Sequence, residues 1–153
     1  QSEQVAAAWG DAATICPWTL YQHYGDIRIL QEQYESMKKY IDFIYHQGDN
    51  PYCWDTGHQL GDWVALDAPY GSFVGATDTA YVATAYYAYS TRILYQTAEK
   101  IGYQKDARNY HQLYEKIRIC SKGWQPERKN TDSYCTGTAF SVSAERVQAR
   151  PGR

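Results

Sequence analysis

Methionine occurs once and phenylalanine three times in this chain of 153 residues, against sixteen tyrosines and five tryptophans. The 16% aromatic content is therefore carried by rings with a polar handle, which suit the wall of a wet cleft. For any single Tyr, packing in the core is the commoner role. An excess of one charge is also missing: the net charge is -2 and the pI near 6.1. That balance gives no sequence-wide attraction to a phosphate backbone or an anionic surface, so neither nucleic acid nor membrane is expected as a partner. No apolar run approaches the roughly 20 residues of a membrane span, and the N-terminus has no basic-then-apolar leader pattern, which slightly favours the cytoplasm. The first residue is Gln1 rather than Met, so an upstream part of a longer protein is expected. Cysteine is sparse. Cys16, Cys53, Cys120 and Cys135 show no C-x-x-C spacing, and no histidines pair at metal-site offsets. No metal site and no cofactor are expected, and thiols in the core are the default reading.

What is present is helical patterning in a length that suits one modest domain. Ile27, Leu30, Tyr34, Met37, Ile41 and Ile44 recur at three- and four-residue steps, which predicts a helix over about 26–47, with Asp26 to cap it and Gly48 to end it. A shorter helix is expected over about 11–24, where Pro17 removes one backbone donor and should bend the helix or mark a late start. Gly25 supplies the turn between these antiparallel neighbours. Thr77 or Asp78 then opens a helix to Ile101, with Val82, Tyr86, Tyr89, Ile93 and Ala98 on one face and Gly102 as the stop. A fourth is expected over about 105–118, with Ala107, Tyr110, Leu113, Tyr114 and Ile117 on its apolar side. Between Gly48 and Thr77 periodicity fails, and Gly, Pro and Asp cluster with Tyr52, Trp54, Trp63 and Tyr70. The expected fold is all-α, with four helices and a long aromatic loop at 48–77, and loops of that length are usually functional.

The run from Ala8 to Asp26 places Trp9 and Asp11 at the mouth of the first helix. An indole stacks on the apolar face of a sugar ring while a neighbouring carboxylate accepts hydrogen bonds from its hydroxyls. Asp11 could equally cap the helix, and both roles are compatible.

Several strings together give a more specific signal. Trp9-Gly10-Asp11-Ala12, Pro17-Trp18, Tyr24-Gly25-Asp26, Gln33-Tyr34-Glu35-Ser36-Met37-Lys38, Gly61-Asp62-Trp63 and Ala83-Thr84-Ala85-Tyr86-Tyr87 resemble, in order and spacing, the catalytic domain of bacterial α-L-rhamnosidases over about residues 5–118. The resemblance implies part of an (α/α)6 toroid and a hydrolase that removes terminal rhamnose with inversion. Inverting glycosidases use two carboxyls about 6.5–9.5 Å apart, one an acid and one a base. The resemblance puts the acid in an Asp-Cys-Pro type motif upstream of Trp-Gly-Asp and the base, a Glu, well downstream. No catalytic residue is therefore expected in this chain. What carries over is substrate binding: Asp11 to rhamnose hydroxyls, Trp9 as an apolar wall, Trp63 against the methyl-bearing face of the deoxy sugar, and Asp62 to bind sugar or fix the loop. Trp54 and Tyr70 lie outside the matching strings and are read as core or rim packing, and the four scattered histidines as surface or structural residues. A rhamnose-containing glycoside is the expected partner. Self-association through helix faces left unpartnered by the incomplete ring is expected as well. The alternatives are a non-catalytic sugar-binding or scaffold fragment, or another (α/α)6 glycosidase.

After Arg118 the character changes. Residues 121–153 carry six basic side chains against three acidic ones, one tyrosine, and no apolar period. Where the family continues with a string close to Thr-Gln-Thr-x-x-Ala-Leu-Ala-Leu, this chain has Asn130-Thr131-Asp132-Ser133-Tyr134-Cys135-Thr136-Gly137-Thr138-Ala139-Phe140. Back-translated and read one base forward, that stretch admits T-Q-T-A-T-A-L-A-L-H-F. Residues 1–118 are thus expected to be catalytic-domain sequence and 119–153 an out-of-frame or disordered tail.

Overall fold

Asp78 shows how local chemistry sets these elements. Its carboxylate accepts hydrogen bonds from the amides of Ala80 (2.9 Å) and Tyr81 (3.1 Å), which opens a helix over Thr79–Ile101, and Gly102 ends it in the left-handed conformation. A computed structural model describes residues 5–123 of the chain and contains four helices among them: α1 (Ala12–Tyr24), α2 (Arg28–Tyr45), α3 (Thr79–Ile101) and α4 (Gln104–Lys122). The all-α expectation holds, and the bounds of α3 fall where the capping residues put them.

Three details depart from the sequence reading. Pro17 does not delay α1, which begins at Ala12 and carries the proline buried within it. Helix α2 is shorter at both ends; Ile27 takes the cap position and Asp26 instead binds the Arg28 amide (3.0 Å) and guanidinium (2.6 Å). Helix α4 runs four residues beyond the expected boundary at 118, because Ile117 is buried and the turn after it continues to Lys122. The rest of the expected tail, residues 124–153, lies outside the described residues.

The core joins Leu30, Tyr34, Met37, Ile41 and Ile44 of α2 to Ala83, Tyr87 and Leu94 of α3 and to Ala107 and Ile117 of α4. The α2 face is the one its period predicts. On α3 the expected face holds only in its second half: Ile93 and Ala98 are buried, but Val82 and Tyr86 are half-buried and Tyr89 is exposed, whereas Thr84, Ser90, Thr91 and Thr97 are buried. Small side chains are what a helix packed against α1, α2 and α4 together requires, and they leave no mark in an apolar period.

Side-chain contacts give the relative directions. Tyr34 and Lys38 of α2 meet Asp106 of α4, and Asp42 of α2 meets Tyr110, so both helices advance the same way. Each follows its own partner through a tight turn, so α1 and α3 form a second parallel pair. The two hairpins therefore run in the same sense.

The segment 48–77 has no helix, as expected, but it is tied down. Trp54 is buried and its amide donates to Thr84 Oγ1 (3.0 Å); the Tyr87 hydroxyl donates to the Pro51 carbonyl (3.3 Å). The expectation of core thiols is corrected here: Cys53 is disulfide-bonded to Cys120 at the end of α4, with Cα atoms 6.2 Å apart, and Cys16 is an exposed thiol.

Candidate functional site

The four candidate residues fall into two groups. The first begins with a turn that Gly10 makes possible: a Cβ there would lie 2.6 Å from Val5 Cγ1 and 2.8 Å from the Tyr40 ring. Ahead of it Ala8 holds a left-handed φ of 69°, costly for a residue with a Cβ. The Ala8 amide donates to Asp11 Oδ2 (2.8 Å), and that bond pins the turn. Trp9, between them, is 69% exposed.

Asp11 itself is 0% exposed. It occupies the cap position of α1 without a capping bond from its side chain, which instead reaches out of the helix. Its Oδ1 accepts a short bond from the Ser90 hydroxyl of α3, and the Thr14 hydroxyl lies 2.7 Å from Ser90 and 3.0 Å from the Asp11 carbonyl. Burial raises the Asp11 carboxyl above its usual value, partly opposed by the bonds from Ser90 and Ala8. Burial and then the Asp11 charge raise the neighbouring Tyr40 phenol. Asp11 is thus enclosed while Trp9, two residues away, faces solvent.

The second group lies in the loop. Trp63 pairs with Val74 in an isolated antiparallel bridge, closed by Val64 N–H to Phe73 O (2.6 Å) and Gly75 N–H to Asp62 O (2.9 Å). Val64 follows Trp63 with φ 62°, a severe departure for a β-branched side chain. Trp63 is 49% exposed and stacks on Phe73 with ring centroids 5.4 Å apart. Asp62 is exposed, and its carboxylate converges with that of Asp67 on Gly75, where a Cβ would stand 3.3 Å and 3.0 Å from the two oxygens. Tyr70 is fully exposed at the rim, Trp54 is core, and His23, His46, His58 and His111 are exposed.

One bond links the two groups: the Ala7 amide donates to Gln59 Oε1 (2.9 Å). Sequence reasoning missed Gln59, Phe73 and Asp67, and a lone glutamine in a loop carries no signal that could have singled it out. Among the described residues no three His, Cys, Asp or Glu side chains assemble into a metal-holding cluster.

Two helical hairpins running in the same sense, with indoles presented by the segments that precede the first and third helices, form part of a helical-ring domain of the glycosidase type. The chain belongs to the bacterial alpha-L-rhamnosidase 6 hairpin glycosidase domain family, whose model matches residues 1–144. It is 32% identical over 114 residues to an alpha-L-rhamnosidase of Formosa agariphila, covering 74% of this chain and 12% of that enzyme. An alpha-L-rhamnosidase of Alteromonas sp. is 37% identical over 111 residues, covering 69% and 12%. Among solved structures, native Aspergillus terreus α-L-rhamnosidase superposes with a TM-score of 0.74 at 31% identity, over 82% of this chain and 15% of that one. The Streptomyces avermitilis enzyme, solved with L-rhamnose bound, gives 0.62 at 30% identity, over 76% and 10%. The chain therefore spans about one-eighth of the curated relatives it matches.

Proposed function

We propose that this chain carries one corner of the sugar site of an inverting α-L-rhamnosidase, and that it binds L-rhamnose without hydrolysing its glycosides. The observation that carries the reading is the pairing of exposed indoles with strained backbone. Trp9 follows Ala8 and Trp63 precedes Val64, the two residues other than glycine with positive φ among those described. Backbone strain persists where surrounding structure over-determines it, and it concentrates at ligand clamps. In each case the strain fixes the direction of a ring that the core does not need.

The two tryptophans supply apolar faces to the deoxy sugar, and Asp62 is an exposed acceptor for its hydroxyls. Asp11 works one step back. With Ala8 and Ser90 on its two oxygens, it holds the Trp9 turn against α3, and its influence on the sugar passes through that turn. The acid and base that the family's chemistry needs are assigned to sequence beyond this chain. Support comes from the family match and from the relative whose structure holds L-rhamnose.

The test is calorimetric titration of the 153-residue chain with L-rhamnose, with Trp9→Ala and Trp63→Ala each weakening binding at least fivefold, alongside an assay of nitrophenol release from the aryl α-L-rhamnoside. Release of nitrophenol by the pure chain, or binding indifferent to both substitutions, contradicts the reading.

A further inference from the structure

The tyrosine excess is not absorbed by the site above. Three of its members, Tyr45, Tyr52 and Tyr110, line a cleft of about 470 Å³ between α2 and α4 that opens to solvent. Ligand sites fall in the range of roughly 300–1,000 Å³, and this cleft contains none of the four candidate residues of the sugar corner.

Its chemistry is specific in kind. Tyr110 and Tyr52 present rings at its walls, and each phenol already holds a charged neighbour in place: Tyr110 donates to Asp42 Oδ1 (3.4 Å), and Lys116 Nζ donates to Tyr52 Oη (3.3 Å) while lying 5.1 Å from the Tyr52 ring centre. Asn109 and Gln112, one helical turn apart on α4, add two amide side chains, each both donor and acceptor. Of the lining charges Asp42 is balanced by Lys116 and Asp106 by Lys38, which pairs with it from outside the cleft, so no net charge selects an anion or a cation. Asp106, at the cleft's edge, is already taken by Tyr34 Oη (2.8 Å) and Lys38 Nζ (3.2 Å).

Ring faces for stacking, amides and a carboxylate for paired hydroxyls, and no net charge together match a neutral polyhydroxylated ring. We infer that the α2–α4 cleft is a second saccharide-binding site, separate from the Trp9 and Trp63 corner, that takes a neutral sugar unit. Both walls are elements of this chain, and all the lining residues lie among those described. Open geometry and a small contact area put its affinity on the order of millimolar.

The experiment is an amide-detected NMR titration of the 153-residue chain with maltose, as a neutral disaccharide, and separately with L-rhamnose. Side-chain amide signals of Asn109 and Gln112 report this cleft, and indole N–H signals of Trp9 and Trp63 report the other site. The expected result is a saturable shift of the Asn109 and Gln112 signals with maltose. Tyr110→Phe, which removes only the hydroxyl over Asp42, weakens it at least threefold; Gln112→Ala, at an exposed helical position, does the same, read at Asn109. Trp63→Ala leaves it unchanged. Shifts that do not saturate, that persist undiminished in both cleft variants, or that disappear with Trp63→Ala overturn the inference. Loss of L-rhamnose shifts at the indoles alone bears on the sugar corner and leaves the cleft result standing.

Discussion

Asp11 joins three things at the residue scale: the left-handed turn at Ala8, the start of α1, and Ser90 on α3. Removing its carboxylate leaves the Ala8 amide without a partner and Ser90 with Thr14 alone, and a buried unpaired group costs about 1–3 kcal/mol. Asp11→Ala is expected to destabilise the chain by about 2 kcal/mol, read by chemical denaturation. Asp11→Asn keeps an acceptor and costs less, and its diagnostic effect is on pH dependence. Because burial raises the folded carboxyl above 3.8, the folded chain holds that proton more tightly than the unfolded chain. The resulting stability is full below 3.8 and is lost as pH rises through the raised value; Asn abolishes that slope. Asp106 has the opposite sign. The Tyr34 hydroxyl and then Lys38 lower its carboxyl against partial burial, so its contribution is present above 3.8 and is lost as pH falls through the lowered value. In the Asp11→Asn variant the remaining acid-side slope is that of Asp106 and its kind. An unchanged profile contradicts the buried-carboxylate account.

At the scale of elements, the long loop gains its order from attachments outside its own sequence. The Cys53 to Cys120 bond closes a chain segment with a sequence separation of 67, and loop-entropy reasoning puts its stabilisation at about 4 kcal/mol. Reduction with dithiothreitol, or Cys53→Ser, is expected to lower the thermal midpoint and to raise proteolysis within 48–77 before it affects α2 and α3; a loop equally resistant in both states contradicts this. Such attachments were not legible in advance. The helices were, because capping residues such as Asp78 and Gly102 act locally and the α2 stripe is strictly periodic. On α3 only Ile93 and Ala98 of the buried face were, because Thr84, Ser90 and Thr97 are polar in type and buried only by their surroundings. Asp62 and Trp63 were readable as a motif, whereas the bridge to Val74 and the stack on Phe73 depend on how the loop folds back. Trp9 and Asp11 were singled out together, but only the fold separates the exposed ring from the enclosed carboxylate.

At the scale of the molecule, two hairpins of a larger ring leave helix surface that the ring would cover. Leu20 of α1 and Tyr81 and Tyr89 of α3 are exposed. Sedimentation is expected to show concentration-dependent association of the isolated chain, reduced by Tyr89→Lys; a monomer at all concentrations contradicts it. The segment beyond α4 is expected to be out of frame with the rest: the DNA read one base forward from the codons for 130–140 should continue an open, family-like sequence, and a stop or an unrelated sequence there refutes the frameshift. The family model matches the given frame as far as residue 144, so the DNA reading decides between the two frames. The central claim is a rhamnose-binding corner without its chemistry, and it is tested most directly by following the indole signals of Trp9 and Trp63 while L-rhamnose is added. Saturable shifts of both indoles, lost for the stereoisomeric D-sugar, are the predicted result; indoles that do not respond, or that respond equally to either sugar, contradict it.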